Sequence, residues 1–352
     1  MKNDDEITSA AALVMMRPTQ ISYAIVVLTF VAVAGLGLAT PFITILFSYF
    51  ALEKLAWRGS KLWGIVLFTL AVTAVGYGGG YFFNQALHAF PKIANAAIPA
   101  IIRFAKEHNL ELPFTDLESL KAVALDTVLE QVRYLGKQAT GAGKQIVFFL
   151  IGLVVAVSLF LNARLNLEPE GRSRTSLYGI SCQEIENRFR AFYESFKRVM
   201  GAQITISTIN TGLTSIFITW ISLPYAGLVI AVTFFCGLLP IIGNLISNTV
   251  IVSIAFTVSP RLGVSALLFL VLLHKLEYFL NSKIIGGRIR NPMWLTLLAL
   301  VVAERVMGIP GIILAPVVLD YLRTETSRIP AVAQADAINR PPPARTELPT
   351  AA

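Results

Sequence analysis

Apolar residues fall into long blocks along this chain, separated by short polar and basic stretches. Ile21–Leu38 is the first block, and Ala39-Thr40-Pro41 interrupts it before Phe42–Leu52 resumes. An α-helix rises about 1.5 Å per residue, so roughly 20 apolar residues cross a hydrocarbon core about 30 Å thick. The two blocks predict one span followed by a tight helical partner. Trp63–Phe83 predicts a third span, in which Gly76, Gly78, Gly79 and Gly80 form a small-residue patch open to close helix approach. Ile146–Ala163 predicts a fourth.

Polar segments with helical periodicity separate these blocks. In residues 84–144, Thr115 and Glu118 form a capping box, and Leu117, Leu120, Ala124, Val128 and Leu135 recur at helical spacing. They predict an amphipathic helical insertion outside the membrane core. A second capping box, Ser181 with Glu184, predicts a helix with Ile185, Phe189, Phe192, Phe196 and Met200 on one face. Its other face carries Arg190, Glu194, Lys197 and Arg198, the pattern of a helix lying in the membrane interface. Residues 323–352, with Pro341-Pro342-Pro343, have too little apolar surface to fold and are expected to form a disordered tail.

Residues 202–322 carry the most specific pattern. Ile204–Ile221 predicts one span. Tyr225–Leu239 and Leu245–Val258 are then joined by Pro240-Ile241-Ile242-Gly243-Asn244, and arms of this length reach only about 22 Å. They predict a re-entrant hairpin whose turn lies within the membrane, where protein or a water-filled cavity must satisfy its backbone. Trp294–Ala303 and Ile312–Leu319 repeat the pattern around Glu304-Arg305-Val306-Met307-Gly308-Ile309-Pro310-Gly311. One long span, Leu262–Leu280, separates the two hairpins. Paired broken segments of this kind point to a transport site near the bilayer midplane.

Composition narrows the class. The chain is 55% apolar and only 14% charged, against about 25% charged in soluble domains. Its mean hydropathy is +0.67. The net charge of +8 sits in loops between apolar blocks, so it reads as a topology signal rather than a nucleic-acid surface. Basic loops at 53–61 and 164–201 predict an inner-membrane, multi-pass protein with both termini cytoplasmic and residues 84–144 outside. Cys182 and Cys236 supply no disulfide framework.

Charges inside the apolar blocks mark candidate chemistry. His274, Glu277 and Asn281 are spaced three and four apart and share a helix face, with Lys275 turned away from Glu277. A charge at the bilayer centre costs roughly 2.5 to 3.5 kcal/mol, so such groups turn towards protein or water. Glu277 is the candidate proton or cation site, with His274 as its titratable neighbour. Glu304 and Arg305 are further candidates for the pathway. Pro240, Gly243, Asn244, Asn248, Gly308, Gly311 and Pro316 are the candidate hairpin and solute-contact positions. No motif implies a metal or cofactor: Gly141-Ala142-Gly143-Lys144 lacks a P-loop's spacing, and His274-Lys275-Leu276-Glu277 is not a zinc-protease site.

The sequences PIIGN (240–244), HKLEYFLNSKIIGGRI (274–289), NPMWL (291–295) and VMGIPGIILAPVVLDYL (306–322) resemble the autoinducer-2 exporter (AI-2E) family of membrane permeases. The family's Gly-x-x-Gly-x-x-x-Ala-Pro ending is matched by Gly308, Gly311, Ala315 and Pro316. Two departures stand near the pathway. Asn281-Ser282-Lys283 replaces a stretch that often contains Pro, and Glu304 and Arg305 replace small residues. The resemblance implies export of a small signalling solute or sodium–proton exchange. It also implies a homo-oligomer, a pentamer by the family's pattern, with moving hairpin domains.

The expected fold is thus all-α and polytopic. Its segments are N-terminal spans (1–83), the insertion (84–144), a fourth span with an interfacial helix (145–201), a transport core (202–322) and the tail (323–352). The expected activity is ion-gradient-driven transport of a small polar solute, or exchange of a cation for protons, in a lipid bilayer. A non-transporting membrane scaffold or assembly factor is the alternative, and an enzyme is not expected.

Overall fold

The apolar blocks become helix, and all but Tyr225–Leu239 give helices longer than themselves. A computed structural model describes residues 2–56, 60–108, 143–162, 177–240, 242–284 and 292–327, and every regular element among them is α-helical. In chain order these are α1 (Lys2–Gly35), α2 (Ala39–Leu55), α3 (Lys61–Glu107) and α4 (Gly143–Leu161). They continue as α5 (Leu177–Trp220), α6 (Ala226–Gly237), α7 (Ile242–Val258), α8 (Pro260–Ile284), α9 (Met293–Met307) and α10 (Ile309–Thr326). Three stretches among the described residues are long and apolar enough to cross a membrane: Pro18–Gly35, Lys61–Glu107 and Gly143–Leu161.

Several boundaries differ from the sequence expectation. The break after the first block falls at Leu36–Leu38, not at Ala39-Thr40-Pro41. There the Leu38 N–H donates to the Val33 carbonyl and the Gly37 N–H to the Ala34 carbonyl. Gly37 has φ +67°, so it closes α1 as a left-handed C-terminal residue. Pro41 then sits in the first turn of α2, where its missing N–H costs no helical hydrogen bond.

α3 shows no break at Phe83. It continues for 47 residues, about 70 Å, through the start of the expected insertion. Ala89, Ile93, Ala97 and Ala105 are buried at spacings of four and eight, so an apolar stripe carries the helix onward. The expected amphipathic helix around residues 115–135 lies outside the described residues. Gly76, Gly78, Gly79 and Gly80 meet no neighbouring helix among the described residues.

α5 fuses two expected elements. It starts before the second capping box, so Ser181 is a buried residue inside the helix rather than its cap. It also runs without interruption into the expected span, for 44 residues or about 66 Å. Its apolar face at Phe192, Phe196 and Met200 is buried against protein, which corrects the picture of a helix resting on lipid. At its other end the Leu223 N–H reaches the Ile218 carbonyl, and Ser222 and Tyr225 adopt positive φ.

Two packed regions organise the chain. In one, α5 residues Phe192, Phe196 and Met200 meet Val26 of α1, Leu46 of α2 and Leu314, Val317 and Tyr321 of α10. Alongside it, α2, α3 and α4 pack through Leu52, Phe68 and Ala156. In the other region, the far end of α5 (Phe217, Ile218) packs with α3 (Ala89, Ile93), α6 (Leu228, Val229), α7 (Ile251, Ile254) and α8 (Ala266, Leu270, Leu273). The long helices α3 and α5 therefore reach from one region to the other.

A buried polar chamber where four helices meet

The link between α6 and α7 is short, and its tip is tight. A Cβ on Gly243 would overlap the backbone carbonyl of Cys236, so the first turn of α7 closes directly on the end of α6. α6 has 12 residues and α7 has 17, reaching about 18 Å and 26 Å. Asn244 follows one residue after that contact. Its side-chain amide donates to both carboxylate oxygens of Glu277 on α8, each at 2.7 Å.

Around this pair lies a cavity of ≈ 10 Å³, room for about one water. It is lined by Asn210 of α5, Thr233 of α6, Asn244, Ser247 and Asn248 of α7, and His274 and Glu277 of α8, with Leu270 and Leu273. Asn210 and Thr233 are each 6% exposed, and Ser247 is 2% exposed. The Ser247 hydroxyl donates to the Asn244 carbonyl at 3.3 Å. By contrast, Asn210 Oδ1 and Thr233 Oγ1 are buried with no hydrogen-bond partner among the described residues, as are Thr211 Oγ1 and Thr214 Oγ1 on the same helix as Asn210. Most buried polar groups in native proteins are paired; of these four atoms, Asn210 Oδ1 and Thr233 Oγ1 belong to residues that line the cavity.

The sequence candidates divide between two places. The structure brings Asn244, Asn248, His274 and Glu277 together, with Gly243 and Pro240 at the adjoining tip. Asn281 lies further along α8, and its side chain is outside the described residues. Glu304 and Arg305 are not in a turn: they lie exposed in the last turns of α9, and neither lines the Glu277 cavity. The second turn is the single residue Gly308, with φ +65° and ψ −145°, a conformation suited to glycine. A Cβ on Gly311 would overlap the Ala303 carbonyl, so α9 and α10 close as tightly as α6 and α7. Pro316 lies inside α10, well beyond the turn.

Asn210, Thr233 and Ser247 were not among the sequence candidates. A signal for the first existed: Ser207, Asn210, Thr211 and Thr214 form a polar stripe at spacings of three, four and seven within an apolar helix. Thr233 and Ser247 are single hydroxyl residues in apolar runs and carry no such signal.

Away from the chamber, α5 is bound to its neighbours by charge. Arg188 pairs with Glu184 at 2.8 Å and with Glu325 of α10, and its guanidinium lies over the Tyr23 ring of α1. Arg198 pairs at 2.7 Å with Asp320 of α10, whose side chain is 5% exposed. Tyr193 donates to Glu53 of α2 at 2.7 Å, and Lys197 pairs with the same carboxylate. Burial, then the hydrogen bond to Glu53, hold the Tyr193 phenol well above its usual value. Lys61, at the start of α3, donates to the Leu161 carbonyl at the end of α4, so those two helix ends share one side.

Comparison with known proteins agrees with the resemblance read from the sequence. Residues 21–324 match the pattern of a family described as "AI-2E family transporter". A Bacillus subtilis (strain 168) protein named "Putative transport protein YdbI" is 29% identical over 182 residues, 51% of each chain. The match thus spans about half the length of that relative.

Proposed function

The chain belongs to the AI-2E transporter family, and from that premise we propose that it is a secondary transporter whose coupling proton or cation binds at Glu277. One observation carries the reading: a carboxylate held by Asn244 beside the unpartnered oxygens of Asn210 and Thr233, at the junction of α5 to α8. Carboxylate, amide and hydroxyl oxygens suit a proton or a small hard cation. They offer nothing to a soft metal. A buried polar cluster inside an apolar helical assembly is also costly unless it is used.

The wider proposal follows the sequence reading. Residues 202–322 form the transport core, and α6–α7 and α9–α10 are re-entrant hairpins whose arms fall short of a full membrane crossing. Asn244 and Asn248 contact a small polar solute, or the site exchanges a cation for protons. The protein works as a homo-oligomer in the inner membrane, with both termini cytoplasmic. The Lys61–Leu161 contact supports that orientation, because it sets the basic loop before α3 beside the end of α4, where the second basic segment begins.

The test is flux in proteoliposomes with an imposed pH or sodium gradient. Glu277→Gln keeps the shape and removes the charge, so gradient-driven flux is expected to disappear while the folded protein persists. Undiminished flux would refute the role of Glu277. The hairpin proposal is tested in protein lacking Cys182 and Cys236. Asn244→Cys and Glu304→Cys should each react with an impermeant thiol reagent added from either side, and reaction from one surface only would mark an ordinary loop.

A further inference from the structure

A second, larger cavity lies beside the chamber and has different chemistry. It is a groove of ≈ 580 Å³ between α3, α7 and α8, sharing Asn248, Leu270 and His274 with the chamber. Ile101, Leu245, Val252, Leu267 and Val271 give it apolar walls. Lys275 and His274 lie at one end of its α8 wall, and no carboxylate among the described residues lines it. Glu277 faces the chamber instead, bonded to Asn244. Lys275 is exposed and has no ion-pair partner among the described residues.

The surroundings identify the solvent this groove meets. Leu267, Leu268, Val271, Leu272 and Phe279 on α8 are 45–67% exposed. In a membrane protein such a face looks onto lipid, and an unpaired ammonium on it needs an anionic partner. The order along α8 is also directional. Lys275 stands nine residues before Ile284, whereas Val271 and Leu267 lie one and two turns back towards Pro260. An acyl chain whose head reaches Lys275 from the C-terminal end of α8 therefore extends along Val271 and Leu267, into the apolar part of the groove.

We propose that this groove is a binding site for an anionic membrane lipid, with the phosphate of its head at Lys275 and His274 and one acyl chain between α7 and α8. Basic pockets between membrane helices bind acidic head groups by the same charge pairing. The volume suits part of a lipid, since ligand cavities run from about 300 to 1,000 Å³. Occupancy at this place would set the spacing of α7 and α8 next to the Glu277 chamber.

The experiment reads binding and not flux, so it is independent of the transport proposal. Protein is placed in phosphatidylcholine vesicles with photoactivatable phosphatidylglycerol or, in parallel, photoactivatable phosphatidylcholine, and crosslinks are mapped by peptide. Phosphatidylglycerol should label α7 and α8 preferentially and be displaced by unlabelled phosphatidylglycerol. Lys275→Gln should reduce that labelling about fivefold, the factor one basic residue supplies at an anionic surface, and Lys275→Arg should restore it. Equal labelling by both lipids, or no change in Lys275→Gln, would overturn the proposal. So would efficient disulfide crosslinking between copies of a Val271→Cys variant lacking the native cysteines, because a second copy would then cover the groove.

Discussion

The Asn244–Glu277 pair can be tested as a unit by a double-mutant cycle. Its amide reaches both carboxylate oxygens at 2.7 Å, and a hydrogen bond to a charged group contributes about 1.5–3 kcal/mol net. Glu277 is half-buried, which places the expected loss in Asn244→Leu towards the lower end, about 2 kcal/mol. Glu277→Leu should cost about 1–2 kcal/mol, because it takes from the Asn244 amide the carboxylate that accepts its hydrogen bonds. Replacing both partners removes the orphan that each single change creates, so the double variant should lose no more than either single one. The coupling energy is then at least about 2 kcal/mol. The assay is reversible denaturant unfolding in detergent micelles, followed by tryptophan fluorescence. Additivity within about 0.5 kcal/mol would mean that the two residues act independently, and the chamber would lose its central contact.

The remaining predictions concern tips, tethers and pH. Gly243→Ala and Gly311→Ala each drive a methyl group into a backbone carbonyl and should cost about 1–3 kcal/mol by overpacking; Gly76→Ala and Gly79→Ala meet nothing and should raise helix stability by up to about 1 kcal/mol, both read by thermal melting. Glu325→Ala leaves Arg188, whose side chain is 15% exposed, paired with Glu184 alone and should destabilise by about 1.5–3 kcal/mol in the same unfolding assay. Since the Tyr193 phenol is raised in the folded state, its protonated form contributes stability that is complete below about pH 10 and is lost as pH rises through the folded value. Tyr193→Phe should therefore flatten the stability-against-pH curve at its alkaline end, and an unchanged alkaline slope would refute the assignment.

How much was legible in the sequence differed by level. Helix identity was readable because apolar blocks of this length admit little else in lipid. Helix ends were not: the sequence placed a boundary at Ser181 because Ser-x-x-Glu is a local capping pattern, yet Ser181 is buried within α5. Local hydrogen bonding lost there to the continuous burial of Phe192, Phe196 and Met200. The boundary at Phe83 failed for a similar reason, since Ala89, Ile93 and Ala97 keep α3 packed while its other face turns polar. The Asn244–Glu277 contact was legible because a carboxylate in an apolar span needs a partner, and a nearby amide at a helix junction is well suited to be one. Glu304 and Arg305 carried the same kind of signal, but the second turn proved to be one residue long and left them on the exposed end of α9. Charge identifies residues that must find polar surroundings; it does not say which side of a helix supplies them.

The unpartnered oxygens of the chamber raise a question of balance. A helix bearing Asn210, Thr211 and Thr214 could in principle rotate to seat those groups against better partners. The other half of α5 opposes such a rotation. Turning the helix would draw Arg188 from Glu325 and Arg198 from Asp320, and would pull Phe192 and Phe196 out of their aromatic contacts with Phe30 and Phe47. Breaking one buried ion pair costs about 3–5 kcal/mol, more than one satisfied hydroxyl returns at about 1 kcal/mol. The two ends of α5 are one continuous helix, so ion pairs at one end hold a polar, incompletely bonded surface in place at the other. That arrangement suits the proton or cation proposed to bind at Glu277, because the fold itself holds these oxygens away from other partners.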